Sequence, residues 1–171
     1  MTTVRRATVG DARAIAEVHV ETWRAAYAHI FPREVLDGLS VDERERLWRA
    51  SVPERDTAVF VAERDDEGET VGFASAGAAR DEDAPGVGEL YAIYVAPAAW
   101  GSGAGQALMA AAVAWLSERY SEAILWVATD NPRARRFYEK GGWVVDATRT
   151  DILRGVQVPE TRYRLSGLSQ R

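Results

Sequence analysis

Apolar positions along the chain change spacing several times, and each change marks an element. Val4 to Thr8 reads as a short first strand. From Asp11, a fitting N-cap, Ala12, Ile15, Ala16, His19, Trp23, Ala26, Tyr27 and Ile30 recur at helical spacing, predicting a helix to Ile30 that Pro32 breaks. Ser40, with Glu43 three residues on, forms a capping-box pair opening a second helix that runs to about Ala50. Ala58 to Glu63, Val71 to Ala79 and Leu90 to Val95 read as strands, the first two joined by the polar turn Asp65, Asp66, Glu67, Gly68. An antiparallel meander is the simplest arrangement.

Gly103 to Tyr120 returns to helical spacing through Leu108, Met109, Ala112, Val113 and Leu116, and Ala123 to Ala128 is a short β-rich run. Asn131 then caps a helix with Pro132 at its first position and a stop at Gly141 and Gly142. Two strands, about Trp143 to Asp151 and Thr161 to Leu165, finish the chain. The pattern predicts one α/β domain over residues 1–171: a mixed, mostly antiparallel sheet of about seven strands flanked by about four helices.

Composition narrows the chemistry. The chain has 171 residues, 47% hydrophobic and 27% charged, which suits one well-packed core. Its net charge of -5 argues against a grip on a phosphate backbone, so no nucleic-acid partner is expected. Apolar runs fall short of the roughly 18 residues a membrane span needs, and no signal-peptide layout opens the chain, so no membrane is expected and the default location is the cytoplasm. Cysteine is absent, which removes disulfides, thiolate metal sites and a cysteinyl intermediate. His19 and His29, ten residues apart, lack metal-ligand spacing, so no metal is expected.

The most informative segment is Glu89 to Leu108, where a strand ends at Val95, Pro97 breaks it, and Gly101, Ser102, Gly103, Ala104 and Gly105 lead into a helix. A helix start offers bare N–H groups and a positive dipole end, and glycines let an anion approach the main chain. A phosphate cradle is expected. Gln106 and Ala107 follow Gly105, which excludes a P-loop, and a dinucleotide fingerprint would need glycine at 106.

These residues resemble the GNAT superfamily of N-acetyltransferases, whose signature is Q/R-x-x-G-x-G/A; here it runs from Trp100 to Gly105. Trp100 stands where the family has Gln or Arg, losing one side-chain donor and leaving the backbone cradle intact. A second stretch, Asn131, Ala134, Phe137, Tyr138, Glu139, Lys140, Gly141, Gly142, Trp143, is also similar to the family. The resemblance implies acetyl-CoA as co-substrate, with main-chain groups of Ile93, Tyr94 and Val95 on its pantetheine arm and the glycine turn on its pyrophosphate. It implies a strand bulge that frees N–H groups, one of which, at Val95, could polarise a thioester carbonyl. It further implies Glu89 as base, Tyr138 as acid and a cofactor contact by Asn131, which capping alone would also explain.

Trp23 and Tyr27, one helical turn apart, could wall a pocket for an amine acceptor, small molecule or peptide, with Trp126; core packing explains them equally well. The acidic runs Asp65 to Glu67 and Asp81 to Asp83 read as solvated loops. The resulting expectation is direct acyl transfer, with a silent acyl-CoA sensor and a nicotinamide-dependent oxidoreductase as rivals. A homodimer is compatible with the sequence.

Overall fold

A computed structural model describes every residue except 65 and 66, so the expected Asp65–Asp66 turn lies outside the described residues. Seven strands form one sheet: β1 (Thr2–Arg6), β2 (Ala58–Arg64), β3 (Glu69–Ala78), β4 (Gly88–Val95), β5 (Ala123–Ala128), β6 (Val144–Leu153) and β7 (Val156–Leu165). Their order is β1-β2-β3-β4-β5-β7-β6. Every neighbouring pair is antiparallel except β4 and β5. The helices are α1 (Ala12–Ala26), α2 (Arg33–Asp37), α3 (Val41–Ser51), α4 (Ala104–Ser117) and α5 (Pro132–Lys140). No helix among the described residues is long and apolar enough to cross a membrane.

The mixed, mostly antiparallel sheet is the one expected, with three corrections. There are five α-helices where about four were expected, because α2 is a five-residue turn after Pro32, too short to show a period. The first helix ends at Ala26, not Ile30: Tyr27 closes it by donating to the Trp23 carbonyl, and Ile30 and Phe31 then donate to the Tyr27 carbonyl as the chain turns. The last strand starts at Val156, not Thr161. Arg154 (φ 49°) and Gly155 (φ 78°) make a two-residue hairpin turn, and Pro159, which reads as a strand breaker, sits opposite Thr150 while its carbonyl accepts from Thr129.

Alternation along the strands fills both faces of the sheet. Ala58, Phe60 and Ala62 of β2 pack toward Leu108 and Leu116 of α4, while Val59 and Val61 pack toward Ile15 and Val18 of α1. Two of the three expected caps form: Ser40 Oγ accepts from the Glu43 N–H at 3.1 Å and Asn131 Oδ1 from the Ala134 N–H at 3.2 Å, whereas the Asp11 carboxylate turns back to the Thr8 N–H at 2.7 Å and does not cap α1.

Two irregularities shape the centre. In the β3–β4 register Ser75 faces Ala92 but Ala76 faces Leu90, so Tyr91 is an extra residue that bulges β4. The parallel pairing of β4 with β5 consists of Gly88 with Ala123 and Glu89 with Ile124. Beyond Glu89 the two strands diverge.

Candidate active site

The notch between β4 and β5 opens into a cavity of about 990 Å³. Every site residue expected from the sequence lines it except Ser102: Glu89, Tyr138, Ile93, Tyr94, Val95, Gly101, Gly103, Ala104, Gly105, Asn131, Trp23, Tyr27 and Trp126. Ser102 is exposed, and its Oγ turns back to accept from the Ala104 N–H at 3.3 Å. Ser102 thus stabilises the helix start rather than facing the cavity.

Main-chain direction along β4 follows from one bond. The Ala96 N–H donates to the Val71 carbonyl of β3 at 2.8 Å. Successive N–H groups of a strand point to opposite edges, so those of Val95 and Ile93 point into the notch, while the main chain of Tyr94 faces β3. Tyr94 therefore reaches the cavity with its side chain, whose hydroxyl accepts from the Trp23 indole at 3.2 Å.

At the end of β4 the glycine turn adopts the backbone that its residues permit. Gly101 (φ 77°) and Gly103 (φ 90°) occupy the left-handed region, and Gly103 is the N-cap of α4. A Cβ at Gly101 would meet nothing within 4 Å, and one at Gly103 only Gln106 Oε1 at 3.8 Å. Open space thus stands before a fourteen-residue helix whose first N–H groups and dipole face it. An anionic group fits there. Higher on the wall, Thr22 Oγ1 is buried without a hydrogen-bond partner among the described residues.

Two ionisable groups expected to do chemistry occupy contrasting settings. Glu89 is 3% exposed. Its Oε1 accepts from the Arg80 backbone N–H at 3.1 Å and its Oε2 from the Arg80 guanidinium at 2.9 Å. A carboxylate has about four acceptor positions, so roughly two remain for a substrate or water. Burial alone would lower the Arg80 pKa, but the Glu89 carboxylate outweighs it and keeps the guanidinium charged. Tyr138 is buried, and burial pushes its phenol well above the ordinary tyrosine value, so the hydroxyl keeps its proton across physiological pH.

The opposite wall joins Trp126 and Asp81 to Arg149, Glu160 and Arg162, three residues that the sequence did not single out. Trp126 donates to Asp81 Oδ2 at 2.8 Å, and the Arg149 guanidinium covers its ring at 3.9 Å. Arg149 also pairs with Glu160 at 2.9 Å. Behind them Arg162, 5% exposed, holds Asp81 at 2.9 Å, Asp83 at 2.7 Å and Asp146 at 2.8 Å. Asp81 and Asp83 are therefore tied to a buried arginine, while Glu82 and Asp83 stay exposed as a solvated loop would have them. His19 is half-buried among aromatic rings: burial and the nearby Arg44 and Arg154 lower its pKa to about 3, and its ring stacks on Tyr94 at 5.5 Å.

A splayed parallel pair, a bulge beside it and a glycine turn capping the next helix are the features that the resemblance to N-acetyltransferases implied. The chain belongs to the acetyltransferase (GNAT) family, whose model matches residues 14–143, and it is an N-acetyltransferase. It is 40% identical over 133 residues to the uncharacterised N-acetyltransferase YuaI of Bacillus subtilis, covering 77% of this chain and 75% of that one. Among solved structures it resembles the PaiA N-acetyltransferase of Thermoplasma acidophilum in complex with coenzyme A, at a TM-score of 0.74 and 18% identity, over 97% and 99% of the two chains. It also resembles yncA of Salmonella typhimurium, solved with its cofactor acetyl-CoA, at a TM-score of 0.73 and 20% identity, over 99% and 95%. At such identities these structures speak for the fold alone.

Proposed function

We propose that the chain transfers an acetyl group from acetyl-CoA to a primary amine by direct attack while both are bound. One observation carries the reading: the notch, the glycine turn and the Tyr138 phenol share a single cavity. Two solved neighbours bind coenzyme A or acetyl-CoA, which agrees with it. The co-substrate supplies an activated thioester; the rest is the work of this chain's residues.

The Val95 N–H, aimed into the notch, donates to the thioester carbonyl and stabilises charge that develops on its oxygen. Glycines 101, 103 and 105 with the start of α4 hold phosphate through main-chain N–H groups. Trp23, Tyr27 and Trp126 wall the acceptor side. An alkylamine with a pKa near 10.4 arrives mostly protonated, and Glu89 accepts that proton directly or through water. Tyr138 donates a hydrogen bond to the departing sulfur as the C–S bond breaks, and the second proton lost by the attacking nitrogen as the amide forms passes to that thiolate, so coenzyme A leaves as the thiol. Because burial makes the Tyr138 phenol a weaker acid than a thiol of pKa near 8.5, it serves as a hydrogen-bond donor that shares its proton rather than releasing it outright.

The Arg80 grip on Glu89 favours a second role for that carboxylate, fixing the start of the notch. Glu89→Gln separates the two: a base role predicts a large loss of kcat with acetyl-CoA affinity kept, whereas a positioning role predicts that affinity and Tm fall with it. The primary test is calorimetric titration with acetyl-CoA and, separately, NADP. Binding of acetyl-CoA alone, followed by turnover in an amine screen, is the expected result. Binding without turnover would favour a sensor, and preference for NADP would overturn the reading.

A further inference from the structure

Three arginines line the cavity: Arg80, Arg133 and Arg149. Arg80 is committed to Glu89 and Arg149 to Glu160, each at 2.9 Å. Arg133, near the start of α5, forms no ion pair among the described residues. Its guanidinium instead lies 3.6 Å from the centre of the Trp100 ring. Trp100 is anchored in turn, since its indole N–H donates to the Val95 carbonyl at 2.8 Å although the residue is 41% exposed. The unpaired cation of the cavity is thus held beside the glycine turn by an aromatic ring fastened to the end of β4.

Stacking uses only the face of a guanidinium. Its N–H donors lie in the plane and remain at the edge, in a fork that matches two oxygens of one phosphate. In a chain of net charge -5, an anionic ligand needs such a local cation on arrival. Trp100 stands at the signature position where a donor side chain is expected, yet it spends its own donor on Val95. We infer that Arg133 is the phosphate-binding cation of this site and that Trp100 is its positioning residue, the ring presenting a guanidinium from a different helix to the turn. The assignment holds only with the coenzyme reading above, and its ligand is a phosphate group of that coenzyme, in the pyrophosphate or at the 3′ position.

The test is calorimetric titration of acetyl-CoA at low and high salt into the wild type, Arg133→Met, Arg133→Lys, Trp100→Leu and the double variant Trp100→Leu/Arg133→Met. Arg133→Met should weaken binding about tenfold at low salt and flatten the dependence of log Kd on log salt. Arg133→Lys should recover part of the loss, since charge remains and the planar fork does not. In the Trp100→Leu background, Arg133→Met should cost clearly less than in the wild type; equal cost would remove Trp100 from its positioning role. With 3′-dephospho-CoA, a loss that disappears places Arg133 on the 3′-phosphate, and one that persists places it on the pyrophosphate; both uphold the assignment. Wild-type binding together with Arg133→Met binding within twofold of it would overturn the assignment. Failure of the wild type to bind acetyl-CoA would overturn the coenzyme reading itself.

Discussion

The two ends of the cavity are made of different material. At the glycine turn the surface is main chain: N–H groups of β4 and of the first turn of α4, exposed by Gly101, Gly103 and Gly105, with Arg133, which has no ion pair among the described residues, beside them. At the far end the surface is side chain, a mesh of Asp81, Trp126, Arg149 and Glu160 backed by the buried Arg162. Main-chain donors suit a constant ligand, because they change little when a side chain is substituted. A side-chain mesh suits a ligand that must be told from its relatives, because each member can be altered separately.

If that division is correct, damage to the charged end should cost stability and acceptor handling but spare the coenzyme. Arg162→Met removes one partner from Asp81, Asp83 and Asp146, but Asp81 keeps Trp126 and Asp146 keeps Arg164, so the cost falls below that of a lone buried pair, at about 2–3 kcal/mol, or roughly 7 °C in Tm. Differential scanning calorimetry would measure the shift, and acetyl-CoA affinity should stay within about threefold. A large loss of affinity would break the division. On the proposed role for Tyr138, engaged mainly as the sulfur departs, Tyr138→Phe should lower kcat about 100-fold with coenzyme Kd nearly unchanged. Unchanged turnover would remove Tyr138 from the reaction.

Gly103→Ala should show the reverse pattern. Its φ of 90° is strained for any side chain, at a cost of about 1–2 kcal/mol, so Tm should fall by a few degrees while acetyl-CoA binding weakens roughly tenfold.

The smallest effect concerns acid. Burial alone would raise the Asp146 pKa, but hydrogen bonds from Arg162 and Arg164 outweigh it and hold the carboxyl below its ordinary range; hydrogen bonding to Arg162 lowers that of Asp83 too. Carboxyls with depressed folded values stabilise the fold above an unfolded pKa near 3.9, and that contribution is lost as pH falls through the folded value. Hydrogen exchange below about pH 4 should therefore loosen β6 and β7 before residues 101–105. Loosening of the turn first would show that the two ends do not differ in this way.

The same difference explains what can be read from the chain. A main-chain site needs particular residues at consecutive positions, so the run from Trp100 to Gly105 and the Asn131–Pro132 helix start stand out in the linear sequence. The mesh is assembled from residues with no common spacing: Asp81 and Arg162 are 81 positions apart and meet only because β7 lies beside β5. Arg80 reads as one more surface arginine, and its bond to Glu89 depends on the β3–β4 connection folding back. Arg133 is hidden differently, since a charged residue in the first turn of a helix reads as solvated until Trp100 is found beneath it. The omission of α2 and the late start expected for β7 have local causes, a helix too brief for periodicity and a proline within a strand.

The short pairing of β4 with β5 has a mechanical meaning. It leaves the sheet as two leaves, β1 to β4 and β5 to β6, whose main-chain spine is two residue pairs at Gly88 and Glu89. Apolar packing under α4 and the bonds from Asp81 and Asp83 of the first leaf to Trp126 and Arg162 of the second complete the join. Anything that touches Val95 on one leaf and the Asn131 loop on the other works as a clasp. The two leaves are thereby bound like pages at a short spine, and a ligand seated between them would add to the binding.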